Sequence, residues 1–539
     1  AAAAGAATSG TGDKPPWATL PNASVIAAVA AAAAAVVAVP PRRAPAAKRL
    51  AVDLALKCAM FGETGGLSML NPVTPEFEAA LKALLPAAAF RDPTPYLVEP
   101  RGRWDGQGFV VAPADTAEVA AVVTACAKAH IGIVPFSGGT GLVGGQVMSD
   151  GPAPVVLALD RMTRIRAVYP SENVLVCDAG VILSDVQAAA QKVDRLFALS
   201  LASEGSARIG GLLSTNAGGV NVLKYGNARA QCLGLEVVRP DGSIWHGLSR
   251  LRKDNTGYDL RDLFIGAEGT LGVVTAAALK LMPRPAVTGT AMFAVQSPAA
   301  ALALLALAGE FAGDTQSAFE LIHAQGFAFL QETDLKVTQP FSDLPEWSVL
   351  LEIGSARDQD PQAVLTALFG AAEAAGLTSD GVIAQSETQR SALWAIRENI
   401  PEANRRIGSI SSHDISVPLG AIPDFIARAE VGLRALGAFR INCFGHLGDG
   451  NLHYNVFPPQ GKSRADFEGV RPKIKSLVHD LAHSFGGSVS AEHGIGRFKV
   501  DDMKTYGDPV KLAMMRAVKD ALDPQGIMNP GAVLPPAGV

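Results

Sequence analysis

From residue 69 onward, short apolar runs alternate with helical patterns, and turn residues punctuate them. Residues 75–84 predict a helix, with Thr74 as its N-cap and Pro75 in the first helical position. Residues 109–112 predict a strand. Asp115-Thr116-Ala117-Glu118 has the form of a capping box and opens an apolar-periodic helix to about Ala129. Residues 131–135, 155–159 and 174–179 predict further strands, and residues 183–193 a helix. Residues 233–239 and 243–246 flank Pro240-Asp241-Gly242, the signature of a hairpin. From about Ala286 to Arg440 the pattern shifts to Ala/Leu helices at 298–311, 361–375 and 421–436, between strands such as 347–353. No internal repeat of fixed period is present. The expected class is α+β: a glycine-loop domain over 69–285, a second α+β domain over 286–495, and a short helical C-terminal segment, 496–539, returning to the first.

Composition narrows the class. A chain of 539 residues exceeds a single ordinary core, so two or three domains are expected. Hydrophobic content of 48% with 18% charged residues is that of a globular protein. A formal net charge of -5 argues against nucleic acid as a partner. The five cysteines (Cys58, Cys126, Cys177, Cys232, Cys443) are scattered, with no CxxC pair, which predicts reduced thiols in apolar surroundings. Residues 1–68 stand apart: alanine-rich, acid-poor, with an apolar run over 25–39 ahead of Pro40-Pro41-Arg42-Arg43. Fifteen apolar residues fall short of the roughly 20 that a spanning helix needs. Three readings stay open: a tag or upstream extension, a transit or signal leader, and an anchor. The fold argument therefore begins at Met69.

Two glycine-rich stretches carry the first chemistry. Gly139-x-Gly141-x-x-Gly144 matches the dinucleotide fingerprint GxGxxG and follows a predicted strand. That fold requires a helix directly after the glycines, and Asp150-Gly151-Pro152-Ala153-Pro154 leaves no room for one. Five glycines in eight positions (138, 139, 141, 144, 145) still let backbone N–H groups converge on an anion such as a pyrophosphate, more than an ordinary turn requires. The second stretch, residues 203–219, mixes glycine with Ser, Thr and Asn, and a third cluster, 266–272, follows. Three clusters over 135 residues imply one extended ligand touched at several places.

Residues 135–147, 202–220, 253–260 (Lys-Asp-Asn-Thr-Gly-Tyr-Asp-Leu) and 266–272 resemble the vanillyl-alcohol-oxidase-type FAD-binding superfamily. Within it they are similar to the FAD-linked D-2-hydroxyglutarate and D-lactate dehydrogenase branch, over roughly residues 75–535. The resemblance implies an FAD-binding domain of two subdomains with an α+β cap domain for substrate. FAD pyrophosphate would lie on Ser137, Gly138, Gly139, Thr140, Gly141 and Leu142, next to Pro135. Ser203, Gly205, Ser206, Ile209, Gly210, Asn216 and Gly218 would contact the rest of the cofactor. Glu268, Gly269, Gly272, Val273 and Asn529 of the tail would complete the site. No histidine stands where relatives attach the ring covalently, so the FAD is expected to be non-covalent.

Six of the nine histidines lie after residue 412. His479-Asp480-Leu481-Ala482-His483 places two imidazoles one turn apart, like a zincin HExxH with Asp for Glu. The flanking Lys473, Lys475 and Asp480 instead suggest a solvated helix face. His446 and His453 flank a Gly-Asp-Gly-Asn turn between apolar strands, and Glu492-His493-Gly494 follows. On spacing alone these histidines could form a divalent-metal site or satisfy a turn. The resemblance implies the former, with His446, His453 and Glu492 as ligands of zinc, or manganese as second choice. It further implies His493 as general base, and Arg397, Asn455 and Ser412 at the substrate. The activity expected is oxidation of a D-2-hydroxy acid, with hydride passing to FAD and the metal chelating the substrate. D-2-hydroxyglutarate is the leading substrate, with D-lactate, glycolate or another monoacid as the alternative. A flavin-free scaffold retaining the fold is the alternative of another class. Ser412 stands where some dicarboxylate-specific relatives carry lysine, and Pro401 where they carry threonine, which leaves the distal carboxylate without its expected partners. The expected partners are an electron-transfer flavoprotein or a quinone as acceptor, with a homodimer and peripheral membrane association as further expectations. The compartment expected is the cytoplasm, with peripheral contact at the inner membrane, or the mitochondrial matrix in a eukaryote.

Overall fold

A computed structural model describes residues 70–102 and 104–535, and these belong to one compact unit. The leader at 1–68, with Cys58, lies outside the described residues. The other four cysteines are buried and free, as expected of reduced thiols.

The first helix is Pro75–Leu84, capped by Thr74, whose side chain accepts the Phe77 N–H at 3.3 Å. Helix Thr116–Ala129 opens on Asp115, which accepts the Glu118 N–H at 2.9 Å. Glu118 reaches back one residue further than a capping box, taking the Ala114 N–H at 2.7 Å. Strands β1 (Phe109–Val111), β2 (Ile133–Phe136) and β3 (Val155–Ala158) form a parallel sheet in the order β1-β3-β2. Residues 137–154 cross from β2 to β3 without a helix. The fingerprint therefore sits in a loop, and the exclusion of a dinucleotide βαβ unit holds.

Next come β4 (Ile165–Tyr169), β5 (Val174–Asp178), β6 (Arg195–Leu196), β7 (Cys232–Val238), β8 (Ile244–Gly247), β9 (Val273–Lys280) and β10 (Met282–Pro283). Five of them form an antiparallel sheet, β4-β5-β9-β7-β8, and β10 pairs with β6. One hydrophobic core joins both sheets and gathers residues from Leu81 to Leu281, and Ile527 and Met528 of the tail enter it. The tail runs beside β2: Ile133 donates to the Ile527 carbonyl at 2.7 Å, and Asn529 donates to that of Ile133 at 2.7 Å.

The third sheet is antiparallel: β11 (Val287–Val295), β12 (Gln316–His323), β13 (Trp347–Ser355), β14 (Thr378–Ile383), β15 (Asp414–Ser416), β16 (Arg440–His446) and β17 (Asn451–Phe457). Its order is β14-β11-β13-β12-β16-β17-β15. Both faces are covered, so apolar residues occupy consecutive positions, as at Ala291–Val295 of β11, Ala318-Phe319 and Leu321-Ile322 of β12, and Val349–Leu351 of β13. Ala291, Phe293, Phe319 and Leu321 pack with helices Pro298–Ala312, Pro361–Ala374, Ile422–Leu436 and Arg471–Ser484. Met292, Ala294, Ala318 and Ile322 face the other way, against helices Ala324–Glu332 and Glu387–Ile407. The last of these, 21 residues with Pro401 inside, had no counterpart among the expected helices. Pro401 has no N–H, so the carbonyl of Arg397 one turn earlier lacks its intrahelical donor.

Candidate functional site

Strand register builds the site. Glu320 on β12 is the direct partner of His446 on β16, and His453 on β17 is the partner of both Phe444 and Asp414. Side chains two apart share a face. Phe444 packs with the second helix layer, so His446 faces it too; Tyr454 and Ile415 face the first, which turns His453, Asn455 and Asp414 toward the second. Helix Glu387–Ile407 packs on that face and delivers Arg397.

His446 Nδ1 lies 2.6 Å from Glu320 Oε1, and Arg397 Nε donates to Glu320 Oε2 at 2.7 Å. His446 Nε2 is thereby left to face Glu492, 3.6 Å from its Oε1. Ligating atoms of His446, His453 and Glu492 all fall within 4.8 Å of one another. The donor set suits a divalent cation: two imidazoles and a carboxylate, with a second carboxylate orienting one imidazole. Burial would lower the His446 pKa, but the charge and hydrogen bond of Glu320 outweigh it and hold it at about 9. His453 goes the other way: burial, only partly offset by Asp414, pushes it down to about 3. Glu320 is held at about 2, because His446 and Arg397 overcome its burial.

Glu492 and His493 lie on a loop anchored by Asp414. The buried Asp414 accepts the N–H groups of Glu492 at 3.0 Å and His493 at 2.9 Å, and Asn451 Nδ2 at 2.9 Å. Its Oδ2 lies 3.3 Å from His493 Nδ1. Despite burial its carboxyl stays well below the usual range, chiefly through His493 and His453. From the glycine-loop domain, Gly219 donates its N–H to Glu492 Oε1 at 2.9 Å.

His493 also lines a cavity formed by Pro135, Ser137–Gly141, Gly210, Glu268, Gly269, Gly272 and Val273. The cradle fits an anionic cofactor. Gln146 Nε2 donates to the carbonyls of Gly139 (3.2 Å) and Gly141 (2.8 Å), and among the described residues no acceptor is bonded to the N–H groups of Gly139, Thr140 or Gly141. At Gly138 a β-carbon would come 2.5 Å from the Ser206 carbonyl oxygen, so the first two glycine stretches meet there.

Other expected residues lie apart from this lining. Ser203 is half-buried, Gly205 and Ser206 are exposed, Leu142 is half-buried and Ile209 belongs to the core beneath. Asn216 Oδ1 accepts the Arg229 N–H at 3.0 Å, and Gly218 lies against Glu492. Asn529 Nδ2 donates to the carbonyls of Gly145 (3.1 Å) and Glu268 (2.7 Å), tying the tail to two glycine clusters. Asn455 is buried and its Oδ1 accepts the His413 N–H at 3.2 Å. Ser412 is exposed, with its hydroxyl 2.6 Å from that of Ser409.

Helix Arg471–Ser484 corrects one expectation. His483 is exposed, but His479 is buried, edge-on to His413 with ring centroids 5.1 Å apart and 3.5 Å from Asp502. The face is thus only half solvated, because the helix lies on the strand that follows His413. The pair joins no metal-competent group among the described residues.

Sequence reasoning missed Glu320, Asp414 and Gln146. A lone acid in an apolar strand, as at Glu320, was the available signal, since a buried carboxylate needs partners.

Residues 108–247 match the family model described as FAD binding domain, and residues 284–533 that of FAD linked oxidases, C-terminal domain. The chain is 35% identical over 467 residues to the mitochondrial D-2-hydroxyglutarate dehydrogenase of Bos taurus, covering 85% of this chain and 83% of the relative. It is 36% identical over 438 residues to the D-2-hydroxyglutarate dehydrogenase of Xanthomonas citri pv. viticola, covering 80% and 90%. Among solved structures, p-cresol methylhydroxylase with substrate bound shares the fold, with a TM-score of 0.68 at 17% identity over 87% of this chain and 99% of that one.

Proposed function

The chain belongs to the FAD-linked oxidase family, as an FAD-dependent dehydrogenase, and we propose that it oxidises D-2-hydroxyglutarate to the 2-oxo acid with a divalent cation at His446, His453 and Glu492. The observation that carries this reading is that those three side chains converge beside His493, which lines the same cavity as the glycine loop. Bound FAD would accept the hydride from the α-carbon, and the cation would lower the pKa of the substrate hydroxyl.

The protein's own groups divide the remaining work. His493 Nε2 takes the hydroxyl proton, while Nδ1 faces the Asp414 carboxylate, which fixes the orientation of the ring. Arg397 has its Nε engaged by Glu320, so its two terminal nitrogens are left for the substrate 1-carboxylate. Asn455 spends its carbonyl oxygen on the His413 N–H and keeps its amide to donate. Zinc suits this N/N/O donor set, and manganese is the second choice. A monocarboxylate such as D-lactate is the second reading, favoured by Ser412, a short neutral hydroxyl bonded to Ser409. An electron-transfer flavoprotein or a quinone would reoxidise the flavin. Among the described residues no helix is long and apolar enough to cross a membrane.

The test is anaerobic bleaching of the flavin by D-2-hydroxyglutarate, D-lactate, D-malate and glycolate, with and without chelator followed by zinc or manganese. The reading expects fastest reduction by D-2-hydroxyglutarate, none by its L-enantiomer, and loss on chelation reversed by metal. Full reduction after complete metal removal would overturn the metal assignment, and faster reduction by D-lactate would select the second reading.

A further inference from the structure

Glu268 adopts a left-handed backbone conformation (φ 51°), which is uncommon for residues other than glycine. Its surroundings enforce it. The Glu268 N–H donates to the Ser214 carbonyl at 2.7 Å, and its own carbonyl accepts Asn529 Nδ2 at 2.7 Å. The side chain so directed is buried, and its carboxylate bridges two consecutive backbone amides: Ile495 N–H on Oε1 at 2.7 Å and Gly496 N–H on Oε2 at 2.7 Å. Gly494 completes the fit, since a β-carbon there would lie 2.6 Å from Glu268 Oε1.

These amides follow directly after Glu492 and His493. The loop is thus gripped from both ends: Asp414 of the cap sheet holds the amides of Glu492 and His493, and Glu268 of the glycine-loop domain holds those of Ile495 and Gly496. Asp414 can orient His493 only relative to the cap sheet. Glu268 lies on a turn that lines the cofactor cavity, and its bonds, with those of the Arg497 and Phe498 N–H groups to the Val143 carbonyl at 2.9 and 3.1 Å, set where the loop stands relative to that cavity.

We infer that Glu268 is a positioning residue, a clasp whose carboxylate fixes the His493 loop against the cofactor cavity rather than binding FAD. The inference rests on His493 being the base of the proposed reaction. A carboxylate can accept both amides, one on each oxygen; glutamine can accept one and opposes the other with its own N–H.

The test uses Glu268→Gln in the full, FAD-loaded protein, with Glu268→Asp as a second variant that keeps the charge and withdraws the carboxylate from the two amides. Three quantities are read: flavin content, the rate of anaerobic flavin reduction against D-2-hydroxy acid concentration, and amide hydrogen exchange over residues 490–497. The clasp predicts unchanged flavin content and an unchanged half-saturating substrate concentration. It predicts a limiting reduction rate lower by about 10- to 100-fold, as expected when a base is displaced by about an ångström, and faster exchange over 490–497. Loss of FAD with normal exchange would make the carboxylate a cofactor ligand and overturn the inference. So would a normal limiting rate with faster exchange. If wild-type flavin is bleached by no D-2-hydroxy acid, the proposed reaction fails on its own. The exchange measurement then still decides the clasp: faster exchange with FAD retained supports it, and unchanged exchange refutes it.

Discussion

Replacing Glu320 by glutamine separates two effects that a metal site normally confounds. Glu320 and His446 stand opposite each other on paired strands, 2.6 Å apart, and the carboxylate holds the imidazole pKa at about 9 in the metal-free protein. His453, held at about 3, is already neutral at pH 7. A divalent cation must therefore expel one proton, from His446, and none from His453. At pH 7 that competition costs about 2 pKa units, or about 3 kcal/mol, which is about 100-fold in apparent affinity. Apparent affinity should then rise about tenfold per pH unit from pH 7 to 9. Glu320→Gln removes the charge, burial takes over, and His446 titrates below neutrality, so the slope disappears. The variant also loses the carboxylate that orients and strengthens the ligand, which is worth about 10- to 100-fold in intrinsic affinity. At pH 7 the variant binds between equally and about tenfold more tightly than wild type; at pH 9 it binds about 10- to 100-fold more weakly. Zinc titration of the chelator-stripped protein against a fluorescent competitor across this range measures both curves. The same pair acts on stability, in the direction set by a raised pKa. Its contribution is complete between about pH 4.5 and 6.5, and is lost as pH rises through about 9 in metal-free wild type. A wild-type zinc affinity that stays flat between pH 7 and 9, or two parallel curves, would show that Glu320 does not govern the His446 proton.

Three further outcomes are expected. His493→Ala should slow substrate reduction of the flavin by about 100-fold or more with FAD content unchanged; reduction at the wild-type rate under saturating substrate would remove His493 as base. His453→Ala should leave the flavin absorbance intact while the desalted protein loses its metal, and stoichiometric metal in that variant would count against the ligand set. Glu236 is held at about 2 because Arg166, Thr116 and His246 outweigh its burial. A depressed carboxylate pKa contributes stability above about 4.5 that is lost as pH falls toward 2, so Glu236→Gln should cost about 1–2 kcal/mol at pH 7 after solvent screening and flatten the acid limb of the melting curve. An unchanged acid limb would show that Arg166 gains nothing from the pair.

Much of the fold follows local patterns that a sequence displays. Thr74 with Pro75, Asp115 with Glu118 and the Pro240-Asp241-Gly242 turn each act within a few residues, and the elements they bound lie where expected. Pro152 and its neighbours excluded a helix after the glycines, and the β2–β3 crossover is indeed a loop. The helix carrying Arg397 is different. Pro401 is a local argument against a helix, and packing of Leu393, Trp394, Ile396 and Ile400 on the sheet overrides it. The charges beside His479 likewise suggested a wet face, although the residue lies under the helix against His413.

The candidate site divides along the same line between local and distant. His446 and His453 flank one turn, and Glu492 adjoins His493, so the residue types of the proposed metal site come from two short segments. What governs their protonation is not. Glu320 meets His446 across a separation of 126 residues, and Asp414 reaches the His493 loop from the far edge of the sheet. Both depend on strand order and register, which no local pattern encodes. Period-two alternation assigns their face only once the register is known. A buried acid nevertheless leaves a trace: Glu320 interrupts an apolar strand, and the cost of burying a charge requires a cation or a hydrogen-bonded partner on the same face. His446 and Arg397 are those partners, which makes the least hydrophobic position of β12 its most informative one.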